Sequence, residues 1–146
     1  LKDQSKIYEL FAGLGTLSVP LAVAGKEITA TDEALPALQN LAAAAQEHHL
    51  KIRVQQRNLY INPLMLEVFG GYEAVVLDPP RAGASKQIHA IAASGVRRIV
   101  YVSCALDSFI QDAQVLLSKG YRLLEVYPVD QFIYTSHLEL VAVFDL

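Results

Sequence analysis

Short apolar runs alternate along this chain with stretches of helical spacing, each helix closed by a turn, and no other feature narrows its folding options as much. Lys6 to Leu10, Glu27 to Asp32, Ile52 to Arg57, Glu73 to Asp78 and Arg98 to Ser103 read as strands. Leu17 to Ala24, Glu33 to His49, Tyr60 to Phe69, Ser85 to Ser94 and Ala105 to Lys119 read as the helices that follow them. The run Ala74-Val75-Val76-Leu77 is apolar throughout, as a strand covered on both faces must be. Repeated β-α units predict an α/β fold, a doubly wound and mostly parallel sheet with helices on both faces. Tyr121 to Tyr127 and His137 to Phe144 are two final strands with no helix between them, so the sheet is expected to close with an antiparallel strand.

The bounds are consistent with that architecture. At 146 residues, residues 1–146 are expected to form one domain. A hydrophobic content of 53% supplies a core and excludes disordered and fibrous classes. No stretch reaches the roughly 18 apolar residues of a membrane span; Leu17 to Ala24 is short and holds Ser18 and Pro20. No secretory signal opens the chain. Cys104 is the only cysteine, which excludes an internal disulfide and a cysteine-rich metal site. No metal and no membrane are expected, and a cytoplasmic, reducing compartment is. A net charge of -3 and a pI near 5.8 argue against broad electrostatic binding of nucleic acid by this domain alone, though not against a local basic patch. The chain opens at Leu1 rather than Met and reads as part of a longer protein.

Parallel sheets bind ligands outside the carboxyl ends of their strands, and every such junction here is polar, Gly-bearing or reactive. Glu9-Leu10-Phe11-Ala12-Gly13-Leu14-Gly15-Thr16 follows the first strand, and Gly13 and Gly15 let the backbone turn tightly and approach a ligand. Asp32 ends the second strand, where a carboxylate can accept both hydrogen bonds of a ribose diol. These features fit a dinucleotide, S-adenosylmethionine or a plain tight turn. Ser18 stands where the dinucleotide fingerprint has its third glycine. Asp78-Pro79-Pro80-Arg81 makes a stiff ledge, since two prolines fix the backbone and remove two donors. On it Asp78 can accept hydrogen bonds and Arg81 can hold a phosphate or carbonyl oxygen. An ordinary rigid turn is the plainer reading.

Ser103-Cys104 ends the fifth strand and opens a helix, whose unpaired N–H groups and dipole favour a thiolate. The alternative is a small core residue, and Asp107 or Asp112 would oppose a thiolate if either pointed at the sulfur. His137 and Glu139 share one strand face. Val141 and Val143 continue that face, so Glu139 borders apolar surroundings that suit general-base work. By itself the pattern equally fits an exposed edge strand.

Together these segments resemble the catalytic domain of the RNA uridine-5-methyltransferases, the S-adenosylmethionine-dependent enzymes that make 5-methyluridine in tRNA or rRNA. The resemblance runs from Ile7 to Phe144 and is carried by Glu9 to Ser18, Asp32 with Asn40, Asp78 to Gly83, Val102-Ser103-Cys104 and His137-Leu138-Glu139. It implies cofactor contacts for Phe11, Gly13, Gly15, Thr16, Asp32 (usually Glu in the family), Asn58 and Asp78. It also implies Cys104 as nucleophile, Glu139 as base, and Arg81 and His137 on the substrate side. The implied partner is a structured RNA, tRNA or rRNA, gripped mainly by parts outside this chain; a cofactor-contacting Gln of the family would lie before Leu1. Cys104-Ala105-Leu106 stands where the family usually has Cys-Asn-Pro, Gln111 replaces the usual Arg before Asp112, and Ser108 replaces Thr. Rival readings are another S-adenosylmethionine methyltransferase with a structural Cys104 and a catalytically silent cofactor- or RNA-binding module. A nicotinamide dehydrogenase is disfavoured by Ser18 and by the Asp78-Pro-Pro-Arg81 ledge.

Overall fold

A computed structural model describes residues 1–129 and 138–146. In chain order the elements are β1 (Lys6–Leu10), α1 (Ser18–Val23), β2 (Glu27–Asp32), α2 (Leu35–Glu47), β3 (Ile52–Gln56), a 3-10 helix (Leu66–Gly71), β4 (Ala74–Leu77), α3 (Lys86–Ser94), β5 (Arg98–Ser103), α4 (Leu106–Ser118), β6 (Arg122–Val129) and β7 (Glu139–Asp145). The strands form one sheet in the order β3-β2-β1-β4-β5-β7-β6. β1 to β5 are parallel, and β7 pairs antiparallel with both β5 and β6. The fold is therefore the expected α/β architecture, a mostly parallel sheet with an antiparallel closing strand.

Alternation along the strands divides the core. Ile7, Ile28, Ala30, Ala74 and Val76 face α1 and α2, packing with Ala22 and Leu41. Tyr8, Leu10, Val75, Leu77, Ile99 and Tyr101 face α3 and α4, packing with Ile88, Ile91, Phe109 and Leu116. β1 lies between β2 and β4, so the chain leaves β1 in one direction and returns on its other side. The crevice opened at that reversal is where such sheets receive ligands.

The last two strands pair as expected, but β7 inserts between β5 and β6 rather than extending the edge. Composition explains the exchange. Leu140, Ala142 and Phe144 of β7 are buried among α3, α4 and β5. β6 carries Arg122, Glu125 and Pro128 and is exposed along its whole length. A proline lacks the N–H that a central strand must donate, so the edge is the strand position that tolerates Pro128.

The helix expected over Tyr60 to Phe69 does not form; only the 3-10 helix at Leu66–Gly71 does. The Asn58 side-chain oxygen takes the N–H groups of Tyr60 and Ile61, each at 3.0 Å. Gln87 of α3 takes the Leu64 N–H at 2.7 Å and donates to its carbonyl at 3.3 Å. Pro63 has no N–H to give. With those groups committed elsewhere, the helical ladder stops at the single turn closed by the Asn62 N–H on the Asn58 carbonyl at 2.9 Å. Among the described residues no helix is long and apolar enough to cross a membrane.

Candidate active site

The loop after β1 is built on left-handed backbone: Phe11 has φ 60°, Gly13 φ 53° and Gly15 φ 85°. The two glycines serve different ends. A Cβ on Gly15 would sit 2.4 Å from Cδ1 of Leu41, so its smallness admits α2; beside Gly13 the same position is open space. Asp32, at the end of β2, accepts the Gly13 N–H on one carboxylate oxygen and the Ala34 N–H on the other, both at 2.8 Å. It thereby clamps the glycine loop to the start of α2.

Over this loop lies a cleft of about 210 Å³ whose walls include Phe11, Asp32, Glu33, Arg57, Leu59, Tyr60, Asp78 and Pro80. Phe11 and Tyr60 meet ring to ring, 5.7 Å between centroids, and with Leu59 make an apolar side facing the Asp32 and Glu33 carboxylates. Of the expected cofactor residues, Phe11, Asp32 and Asp78 line the cleft directly. Gly13 acts on it through Asp32. Asn58 acts on it through the Tyr60 turn and a bond from its amide to the Glu33 carboxylate. Gly15 is buried behind the loop, and Thr16 is exposed outside the cleft wall.

Glu33, Arg57 and Tyr60 were not singled out from the sequence. The adjacent acids at the end of β2 were the available signal for Glu33. Nothing local marks Tyr60, whose hydroxyl reaches across to the Gly83 carbonyl at 2.8 Å.

Asp78 of the cleft wall leads to the residues expected to carry the chemistry. The Asp78 carboxyl is raised above its ordinary value, first by burial and then by the charge of the Glu139 carboxylate. Ser103 of β5 is paired with Leu140 of β7, so the register carries half-buried Cys104 and Glu139 to the same level, one step beyond. Asp78, Cys104 and Glu139 thus share one edge of the sheet. Arg81 is exposed on the ledge, and His137 lies outside the described residues. Asp112 does not turn toward the thiol: its Oδ2 accepts the Ala84 N–H and the Tyr101 hydroxyl, both at 2.6 Å. Among the described residues no cluster of His, Cys, Asp or Glu has the makings of a metal site.

Comparison with known proteins decides the family. The model of the tRNA (uracil-5-)-methyltransferase family matches residues 2–145. The chain belongs to that family. Among curated relatives, an uncharacterized RNA methyltransferase of Agrobacterium fabrum is 42% identical over 142 residues, 96% of this chain and 34% of its own. The 23S rRNA (uracil(1939)-C(5))-methyltransferase RlmD of Vibrio vulnificus is 36% identical over 152 residues, 99% of this chain and 33% of its own. The tRNA (uracil-54, C5)-methyltransferase of Pyrococcus abyssi, solved in complex with S-adenosyl-L-homocysteine, superposes with a TM-score of 0.83 at 27% identity, covering 96% of this chain and 34% of that one. The chain spans about a third of the length of these relatives.

The turn after the cysteine carries one of the departures expected from the family's usual residues. Ala105 is the N-cap of α4, with extended backbone and no side-chain cap. Ser103 compensates in part: its hydroxyl accepts the Ala105 N–H at 3.2 Å and donates to the Ala105 carbonyl at 3.0 Å. That holds the turn but leaves the first helical N–H groups without a side-chain acceptor. Ala105→Asn supplies one, and is expected to stabilise the protein by about 1 kcal/mol. Urea unfolding reads it; an unmoved midpoint would show that the helix start is already satisfied.

Proposed function

We propose that the protein methylates carbon 5 of a uridine in tRNA or rRNA, using S-adenosylmethionine and a covalent Cys104 adduct. The reading is supported by a cleft lined by Asp32 and Asp78, and by a strand register that sets Cys104 opposite Glu139, whose charge acts on Asp78. The cleft fits the cofactor. Each Asp32 oxygen uses one lone pair on a backbone N–H and keeps another for a ribose hydroxyl. The space beside Gly13 is open, and Phe11, Leu59 and Tyr60 offer apolar surface to an adenine. Phe11, Gly13, Asp32, Asn58 and Asp78 are thus the residues that would hold it, with Gly15 and Thr16 shaping the loop. When bound, the cofactor supplies an electrophilic methyl group.

The remaining chemistry belongs to the chain. Carbon 5 of uracil is a poor nucleophile. Addition of the Cys104 thiolate at carbon 6 forms a C–S bond and moves electron density to carbon 5, which can then take the methyl group. Glu139 removes the carbon 5 proton, the C–S bond breaks, and the thiolate leaves with its electron pair. The base must leave its stack to reach both groups, and Arg81 and His137 are the residues assigned to bind it. A domain of charge -3 has little general hold on RNA, so the grip falls to parts beyond this chain.

The test follows tritium release from carbon 5 of labelled tRNA and rRNA by the full-length protein, with S-adenosylmethionine. Release with methyl incorporation supports the reading; methyl incorporation elsewhere favours a methyltransferase with a structural cysteine. Asp32→Ala removes both the ribose acceptor and the clamp on Gly13. It is expected to weaken S-adenosylhomocysteine binding by about 1–3 kcal/mol. Unchanged affinity by calorimetry would remove Asp32 from the site.

A further inference from the structure

Asp112 is the seventh residue of α4, deep in the core and 5% exposed. A carboxylate is costly to bury, and neither donor on its Oδ2 is a cation. The donors are informative. Tyr101 lies on β5, three residues before Cys104, and Ala84 closes the loop that begins with Asp78-Pro79-Pro80-Arg81. One oxygen therefore joins both flanks of the cysteine, β5 and α4, to the far end of the ledge.

The loop is shaped for this approach. Gly83 has φ 76°, and a Cβ there would meet Asp112 Oδ2 at 2.8 Å and Ser108 Cβ at 3.0 Å. The Gly83 N–H turns back to the Pro80 carbonyl at 2.8 Å, and Tyr60 holds the Gly83 carbonyl from the cofactor side. Burial, and then the bond to Asp112, raise the Tyr101 phenol well above its ordinary value, so it stays a donor.

We infer that Asp112 is a positioning residue: it sets the ledge bearing Asp78 at a fixed distance from the strand and helix that present Cys104. This rests on the proposed uridine chemistry, in which one planar base must meet the thiol and the ledge at once. Displacement of about 1 Å between two such groups costs on the order of 100-fold in rate.

The experiment compares Asp112→Ala and Asp112→Asn with the wild type in the full-length protein, with two readouts. The first is amide exchange at residues 83–85, which needs no RNA. Asp112→Ala should raise it at least tenfold while α4 keeps its protection; Asp112→Asn, which retains an acceptor of the same shape, should restore most of the difference. The second is the single-turnover methylation rate at saturating cofactor and RNA. Asp112→Ala should lose about 100-fold, with S-adenosylhomocysteine affinity changed by less than threefold, and Asp112→Asn should recover at least tenfold. Unchanged exchange at residues 83–85 overturns the proposal. So does a freed ledge with the rate per folded molecule kept within threefold, or a rate loss matched by an equal loss of cofactor affinity. If Asp112→Ala does not fold, Asp112→Leu, which fills the side-chain volume and removes the acceptor, decides against wild type by the same two criteria. A wild type that methylates no RNA defeats the uridine reading instead, and the exchange readout then decides the ledge tie by itself.

Discussion

Cys104→Ala is expected to abolish both methyl transfer and the covalent protein–RNA species, whereas Glu139→Gln is expected to accumulate that species. The two residues share one edge of the sheet, and in the proposed reaction they act at opposite ends. Without the thiol nothing adds to carbon 6, so carbon 5 never gains the density it needs. Glu139→Gln keeps the shape and can still allow addition and methylation, but an amide cannot take the carbon 5 proton. Turnover should fall by about 10²–10⁴-fold, the usual worth of a placed general base, and the methylated adduct should persist on a denaturing gel and by intact mass. Methylation by Cys104→Ala would return the cysteine to a structural role. Normal turnover by Glu139→Gln, with no adduct, would send the base assignment elsewhere; Asp78, whose carboxyl is raised by burial and by the Glu139 charge, would be the next candidate.

The second large effect is on stability. Glu9 is 2% exposed, bonded to the Ser18 hydroxyl beneath the glycine loop. Burial pushes its carboxyl from an ordinary value near 4.5 up to about 7; the Ser18 bond opposes this, and the Asp78 and Asp32 carboxylates add to it. A raised folded value means that the folded state holds the proton more tightly than the unfolded chain. The stability it confers is therefore complete below about pH 4.5 and is lost as pH rises through about 7. A shift of that size corresponds to about 3 kcal/mol. Glu9→Gln carries no charge at any pH. Relative to wild type it should gain about 3 kcal/mol between pH 4.5 and pH 8, read by urea unfolding at the two ends. Parallel pH profiles for the two proteins would show that folding does not raise the Glu9 carboxyl.

Ser18 is instructive about what a motif conveys. Its place in the first motif speaks against the dinucleotide fingerprint, which wants glycine there. Only the fold shows why a hydroxyl is used: α1 lays Ser18 against a carboxylate that β1 buries. Gly15 is similar, since its sequence context suggests approach to a ligand while its actual neighbour is Leu41.

The order of elements, the parallel core of the sheet and the junctions where chemistry collects were legible in residue order alone. They depend on local periodicity: a buried strand such as Ala74–Leu77 cannot hide its apolar run, and a helix such as α4 cannot hide its stripe. Asp32, Asp78 and Cys104 were legible for the same reason, standing at strand ends that periodicity locates. What tertiary structure alone decided was every relation between distant segments. It inserted β7 inside β6, withdrew Tyr60 to Met65 from a helix by giving Leu64 to Gln87, brought Glu139 level with Cys104, and turned Asp112 from the thiol to the ledge. The physical reason is that buried polar groups must find partners wherever the fold brings them. Strand order, likewise, is settled by which strand loses least at the edge, and neither condition is written in any single stretch of sequence.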